Sequence, residues 1–337
     1  VLKPSEVTPL TSLLMARMLA ECGIPEGAFQ VATGRGETGA ALVDGVDMVM
    51  FTGSVETGKR VMARAAETLT PVSLELGGKD PMIVLADADL DRAVELVVFT
   101  ALHVGGQTCT SAERVYVEEP VYDEFVAKIT ERFAAIRQGV STGFGTTDIG
   151  AITFPPQIEL IDAHVRDAVA RGARVLTGGA PLPGPGRFYP PTILVDVDHS
   201  MLCMRDETFG PPLPIMKVRD ADEAIGLAND SGYGLQASIF SRDIAKADRL
   251  ASRVEAGAVC INDTNSNFMA LEVPMGGWKD SGVGSRHGVD GIRKYTRRKT
   301  VVINAEPVER EIHTMPFIEA NYDAMAELVR QTFGRNA

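Results

Sequence analysis

Two side chains in this sequence are easier to explain by chemistry than by packing. Gly106-Gln107-Thr108-Cys109 carries a cysteine into a polar, glycine-rich loop between a helix-like and a strand-like stretch, whereas cysteines kept for packing favour apolar surroundings. A loop thiolate near backbone amides attacks carbonyl carbon. Leu74-Glu75-Leu76-Gly77-Gly78-Lys79 sets one carboxylate between two leucines at a strand end, where desolvation lifts its pKa toward that of a usable general base. A third stretch, Thr52-Gly53-Ser54-Val55-Glu56-Thr57-Gly58, hands a buried strand over to a helix. Its glycines let backbone N–H groups and the helix dipole approach a diphosphate, although it is not the G-x-G-x-x-G fingerprint. Val1-Leu2-Lys3-Pro4-Ser5-Glu6 ends a strand at the same sheet edge, with Lys3 placed for a ribose or phosphate and Glu6 for both ribose hydroxyls. Glu207-Thr208-Phe209-Gly210-Pro211 adds a second acidic turn.

Each stretch also has a plainer reading: a core thiol, a solvent-facing Glu, a tight turn, a solvated Lys/Glu pair. His103, six residues before Cys109, leaves a Cys/His pair open as well. Cys22, Cys203 and Cys260 read as packing thiols. The four cysteines show no CxxC and the five histidines no ligand spacing, so neither a disulfide framework nor a metal site is expected, and a reducing, cytoplasmic location is.

Positioning these side chains requires alternating strands and helices, the pattern of βαβ units around a mostly parallel sheet. Thr8 and Pro9 read as N-cap and first residue of a helix that Gly23 stops. A short strand follows near Ala28 to Ala32. The apolar run Met48 to Phe51 reads as a strand covered on both faces, followed by a helix over Val55 to Leu69 and a strand over Val72 to Leu76. Strands at Met82 to Leu85 and Val115 to Val117 flank a helix over Leu90 to Leu102. Val121, Phe125, Val126, Ile129, Phe133 and Ile136 then make one apolar helical stripe. Pro181 to Pro191 is a surface connection, Ala258 to Ile261 a strand, Thr300 to Ile303 a late exposed strand, and Phe317 to Phe333 a terminal amphipathic helix.

With 337 residues, 45% of them hydrophobic, and a formal net charge of -12, the chain suits two globular domains. It lacks the clustered basic face that nucleic acid or an anionic membrane requires. Arg297-Arg298-Lys299 reads as a solvated strand face. No apolar run reaches the ~18 to 20 residues of a membrane span. The chain opens on Val1 rather than Met, so an N-terminally cut sequence is expected.

With these motifs in order, residues 1 to about 302 resemble the NAD(P)-dependent aldehyde dehydrogenase superfamily. The likeness rests on Leu74 to Lys79, Gly106 to Cys109, Glu207 to Pro211 and Pro274-Met275-Gly276-Gly277-Trp278-Lys279-Asp280-Ser281-Gly282. Met315-Pro316-Phe317 is similar to bacterial members often called succinate-semialdehyde dehydrogenases. The resemblance implies an α/β fold with a Rossmann-type cofactor domain, an α/β catalytic domain and a small oligomerisation element. The expected extents are 1–78, 79–287 and 288–337. It implies Cys109 as nucleophile and Glu75 as the base that hydrolyses the thioester. It also implies a dinucleotide site of Lys3, Ser5, Glu6, Gly34, Thr52, Gly53, Ser54, Gly58, Leu76, Gly77, Glu207 and Phe209. A carboxylate at Glu6 repels a 2′-phosphate and so favours NAD over NADP.

Implied partners are a small aldehyde and further copies of the chain, as a homo-dimer or homo-tetramer, with neither nucleic acid nor membrane. The resemblance also places an oxyanion-hole Asn upstream of Lys3, outside this sequence, which implies a poorly active isolated chain. Val104 stands where many relatives have Asn. Asn265, Ser266, Asn267 and Phe268, in the loop from Asp263 to Glu272, are candidates to line an aldehyde pocket. A thioester passed to coenzyme A or phosphate, a Cys/His hydrolase, and a cofactor-binding or assembly module are the competing readings.

Overall fold

The computed structural model describes residues 1–305, 310–311 and 313–334, in two compact units, Val1–Tyr295 and Thr296–Ala337. The strands of the first unit are β1 (Val49–Thr52), β2 (Val72–Glu75), β3 (Asp80–Val84), β4 (Ala112–Glu118), β5 (Arg174–Thr177), β6 (Thr192–Val195), β7 (Pro212–Val218), β8 (Tyr233–Gly234), β9 (Gln236–Phe240), β10 (Ala258–Ile261), β11 (Trp278–Lys279) and β12 (Gly282–Val283). Seven of them form a sheet in the order β10-β9-β3-β4-β7-β6-β5, parallel except where β5 runs against β6. A smaller sheet, β1-β2-β12, carries the parallel pair β1/β2 with β12 antiparallel on β2.

The large sheet is buried on both faces, and strand alternation divides its core in two. Met82, Val84, Val115 and Val117 point into one cluster, and Ile83, Leu85 and Tyr116 into the other. The helices α1 (Leu10–Glu21), α2 (Gly36–Asp44), α3 (Val55–Ala66), α4 (Leu90–Leu102), α5 (Glu119–Ala134) and α6 (Pro155–Ala170) alternate with these strands. Of these, α4 and α5 cover the first cluster and α6 part of the second. The stripe expected on α5 forms: Phe125, Ile129 and Phe133 are fully buried, and Val121, Val126 and Ile136 pack beside them. Each of the three contributes roughly 1.5–3 kcal/mol of transfer free energy. Asp89 starts α4 by accepting the Arg92 N–H, as a capping side chain should.

Four local expectations need correction. The stretch from Ala28 to Ala32 makes one bridge, Val31 with Leu2, because Pro4 has no N–H with which to extend the ladder. Leu10 begins α1, with Pro9 in the cap position and no side-chain cap. Strand β1 is not covered on both faces: it has one strand neighbour, β2, and Met50 is exposed. Cys22 is exposed at the end of α1, whereas Cys203 and Cys260 are buried as expected.

In the second unit the strand expected over residues 300–303 is not formed: the stretch pairs with no strand among the described residues, and Val301, Val302 and Ile303 lie exposed. The terminal helix runs Glu319–Phe333 and buries Asn321. Among the described residues no helix is long and apolar enough to cross a membrane.

Candidate active site

Cys109 is delivered by an unusual piece of backbone. After α4 the chain passes through Val104, Gly105 and Gly106, all at positive φ, a region that L side chains avoid. A Cβ on Gly106 would lie 2.1 Å from the Gly210 carbonyl oxygen, so the loop and the Glu207 turn approach each other as bare backbone. Gln107 fixes the loop, its amide N–H donating to the Val104 carbonyl at 2.8 Å and its side-chain oxygen accepting from Thr153 N at 2.8 Å. Cys109 then sits half-buried just ahead of β4, its carbonyl oxygen 2.2 Å from where a Gly78 Cβ would stand.

That contact joins the cysteine loop to the end of β2. Glu75 is buried, pairs through its backbone with Thr52 and Gly282 on either side, and leaves Oε1 with no hydrogen-bond partner. Burial raises its pKa, while the nearby charges of Arg286 and Lys294 pull it back. Lys294 is itself tied to Ser73 Oγ at 2.9 Å. Burial and then the Asp80 carboxyl push the Cys109 thiol up to about 11; Arg286 opposes them, and Glu207 and Glu75 add to the rise. At neutral pH the thiol is protonated and requires a base.

The glycines after Glu75 make room for a second carboxylate. A Cβ on Gly77 would stand 2.5 Å from Glu207 Oε2, and Gly78 N donates to Glu207 Oε1 at 3.0 Å. Burial first, then the Glu113 charge, raise Glu207 to about 7. Next to it Phe209 holds φ 49, with its N–H on Glu113 Oε1 at 2.7 Å.

The glycine turn after β1 leads directly into α3. Ser54 caps α3 by accepting the Thr57 N–H at 3.3 Å, and Gly53 N donates to the Glu75 carbonyl at 3.1 Å. Gly58 is buried against Leu76, where a Cβ would come within 2.5 Å of the leucine methyl. Thr52 and Ser54 are exposed at the N-terminus of α3, the dipole end that favours an anion, while the Phe51 ring lies over Gly53, 2.5 Å from where a Cβ would stand. Lys3 Nζ donates to the Pro4 and Gly34 carbonyls at 2.6 and 2.8 Å and stands 3.8 Å from Glu6. Ser5 Oγ accepts from Val7 N. Residues 3–6 and the N-terminus of α3 carry the kinds of charged and polar group that an adenosine diphosphate half would need, with Lys3 Nζ and the Gly53 N–H already bonded within the chain.

The sequence motifs thus fall into three groups: Cys109, Glu75, Gly77, Glu207 and Phe209; Thr52, Gly53, Ser54, Gly58 and Leu76; and Lys3, Ser5, Glu6 and Gly34. His103 is exposed with its ring 5.2 Å from that of Phe99, and no hydrogen bond joins it to Cys109 among the described residues. In the 263–272 loop Asn265 accepts from Gln236 at 2.9 Å, and Phe268 lies under the Arg286 guanidinium at 5.2 Å. Asp80, Glu113 and Arg286 belong to the site's electrostatics yet stand out in no motif, and Lys79 closes the Leu74–Lys79 motif with no role of its own read there. Glu113 had one signal, a charge inside a strand that is otherwise buried, which implies a buried partner. Arg286 had none.

The profile of the Aldehyde dehydrogenase family matches residues 1–301. The chain is 40% identical to 4,4'-diapolycopene aldehyde oxidase of Methylomonas sp, covering 100% of this chain and 63% of that protein. It is 42% identical to a putative succinate-semialdehyde dehydrogenase [NADP(+)] of Mycolicibacterium smegmatis, over 91% of this chain and 60% of that one. A solved betaine aldehyde dehydrogenase from Staphylococcus aureus, in complex with NAD+, superposes with a TM-score of 0.82 at 36% identity, over 87% of this chain and 59% of that one. The chain therefore spans less than two thirds of the length of these proteins. A buried carboxylate beside a loop thiol, a capped glycine turn at the same sheet edge, and a family profile that runs through all of them lead to one assignment: the chain belongs to the aldehyde dehydrogenase family.

Proposed function

We propose that the whole protein oxidises an aldehyde to its carboxylic acid, using NAD in preference to NADP. The observation that carries this reading is Glu75: a buried carboxylate of raised pKa with one oxygen unpartnered, within electrostatic reach of the Cys109 thiol. That is the equipment for activating a water beside a covalent intermediate.

In this scheme Glu75 takes the Cys109 proton through water and passes it on to solvent, and the thiolate adds to the aldehyde carbon, giving a thiohemiacetal oxyanion that backbone N–H groups of its loop stabilise. The nicotinamide ring, when bound, supplies the hydride acceptor. Loss of hydride from the former aldehyde carbon leaves a thioester on Cys109. Glu75 takes a proton from water, the resulting hydroxide adds to the thioester, and the carboxylic acid leaves as the thiol is restored. A water-activating base favours hydrolysis over transfer to coenzyme A or phosphate.

Lys3, Ser5, Glu6 and Gly34 hold the adenosine end. Thr52, Gly53, Ser54 and Gly58, backed by Leu76, face the diphosphate. Gly77, Glu207 and Phe209 frame the nicotinamide end. Glu6, 3.8 Å from Lys3, adds negative charge where a 2′-phosphate would go, which supports NAD. The Mycolicibacterium relative is named for NADP(+) and the Staphylococcus structure holds NAD+; the expected result for the full-length protein is a higher kcat/KM with NAD, read from initial rates with each coenzyme. We further propose the domain extents 1–78, 79–287 and 288–337, with self-association through residues 300–303 into a homo-dimer or homo-tetramer. The four free cysteines suit the cytoplasm.

The test is single-turnover kinetics on the full-length protein. Glu75→Gln should give one burst of NADH per site and then stall with the substrate acyl group on Cys109, detected by mass. Steady turnover in that variant would remove Glu75 from the role of base.

A further inference from the structure

Lys79 and Glu113 form an ion pair at 2.6 Å with side chains 0% and 4% exposed, and none of the steps above uses it. Removing two charges from water is costly unless their remaining hydrogen-bonding capacity is filled. Here nearly all of that capacity is spent on one turn. Glu113 Oε2 accepts from Lys79 Nζ and from Thr208 N at 2.8 Å, and its Oε1 accepts from Phe209 N at 2.7 Å. Lys79 Nζ reaches Thr208 Oγ1 at 3.2 Å. His164 Nδ1, 3.1 Å from the same hydroxyl, and Gln157, donating to the Thr208 carbonyl at 2.8 Å, close the shell.

The pair also links the turn to the rest of the site. Lys79 follows Gly78, whose N–H holds Glu207, and its own carbonyl is gripped by Arg114 Nε at 2.8 Å. Glu113 lies near the start of β4, the strand that follows Cys109 directly. One carboxylate on the nucleophile's strand thus fixes the backbone N–H of Phe209, a non-glycine residue at φ 49. Left-handed backbone of this kind persists only where its surroundings over-determine it.

Building on the aldehyde-oxidation reading, we propose that Glu113 and Lys79 are a positioning pair that holds the Glu207–Phe209 turn, and through it the nicotinamide end of the dinucleotide, in register with Cys109. The pair touches neither substrate nor coenzyme, and the adenosine end lies on other elements. Its loss therefore affects the two ends of the coenzyme differently.

The experiment compares the full-length parent with Glu113→Gln, which keeps size and removes charge. Three quantities are read: kcat/KM for NAD, the Kd of ADP, and the rate at which iodoacetamide alkylates Cys109, followed by peptide mass. The expected result is a loss of about ten- to hundredfold in kcat/KM for NAD, the cost of a small misplacement of reacting groups, with ADP binding and Cys109 alkylation as in the parent. An unchanged kcat/KM, or NAD and ADP weakened alike, would overturn the proposal. If Glu113→Gln does not fold, the charge-neutral double variant K79M/E113Q takes its place in the same comparison. Thr208→Val, which removes only the hydroxyl contacts, should show a smaller loss of the same kind. A parent that makes no NADH from any aldehyde would instead overturn the aldehyde-oxidation reading itself.

Discussion

Glu207 illustrates what a binding site asks of a single side chain. Its carboxyl is raised to about 7, by burial first and then by the Glu113 charge, from about 4.3 in an unfolded chain. A carboxyl whose pKa rises on folding binds its proton more tightly in the native state. Its stabilising contribution is therefore complete below pH 4 and is lost as the pH climbs through about 7. Gln at this position keeps an oxygen for the Gly78 N–H but carries no buried charge. Glu207→Gln should therefore be more stable than the parent at pH 8, by about 1–3 kcal/mol, and equal to it at pH 4, as measured by denaturant unfolding at both pH values. Equal stabilities at pH 8 would mean that the ionised carboxylate is well solvated in the turn. A residue that weakens the apo fold near neutral pH is expected where binding was selected over stability.

At the scale of elements, the turn between α4 and β4 matters most. Gly106 has φ 75 and faces the Gly210 carbonyl at a distance no methyl group tolerates. Gly106→Ala should abolish Cys109 alkylation at the parent's rate and cost several kcal/mol, through strain and a displaced Glu207 turn. A melting curve and an alkylation time course check it, and unaltered behaviour in both would refute this account of the loop. Such elements were legible because local residues determine them. Cys109 among glycines, Glu75 between leucines, the stripe on α5 and the turn at Gly53 all declare themselves within a few residues. The roles of Lys79, Glu113 and Arg286 did not, because each depends on a partner far along the chain. Glu113 is gripped by Thr208 and Phe209, and Arg286 acts on Glu75 and Cys109. Strand β1 misled for the opposite reason: its apolar run was read as burial, but burial depends on neighbours that a local pattern does not reveal.

For the whole molecule, exposed apolar side chains are spread along the chain, and α1 and residues 301–303 are two places where they run together. No residue of α1 is buried, although it carries Leu10, Leu13, Leu14, Met15 and Met18. Val301, Val302 and Ile303 are 71%, 87% and 80% exposed, a run that would seek strand or core contacts elsewhere. If the full-length protein self-associates as proposed, Val302→Asp should shift the native mass toward the monomer, and an unchanged mass would remove residues 300–303 from that role. The order of the large sheet also governs the timing of its assembly. Strand β3 lies between β4 and β9, and Met82 pairs with Ser238. On a ribosome adding about 5–20 residues per second, β3 waits on the order of ten seconds for its second neighbour. Throughout that interval β3 presents an open row of amides and carbonyls flanked by Met82, Ile83 and Val84, an invitation to wrong partners. The nascent protein must therefore shield a fully buried strand before the residues that will bury it exist.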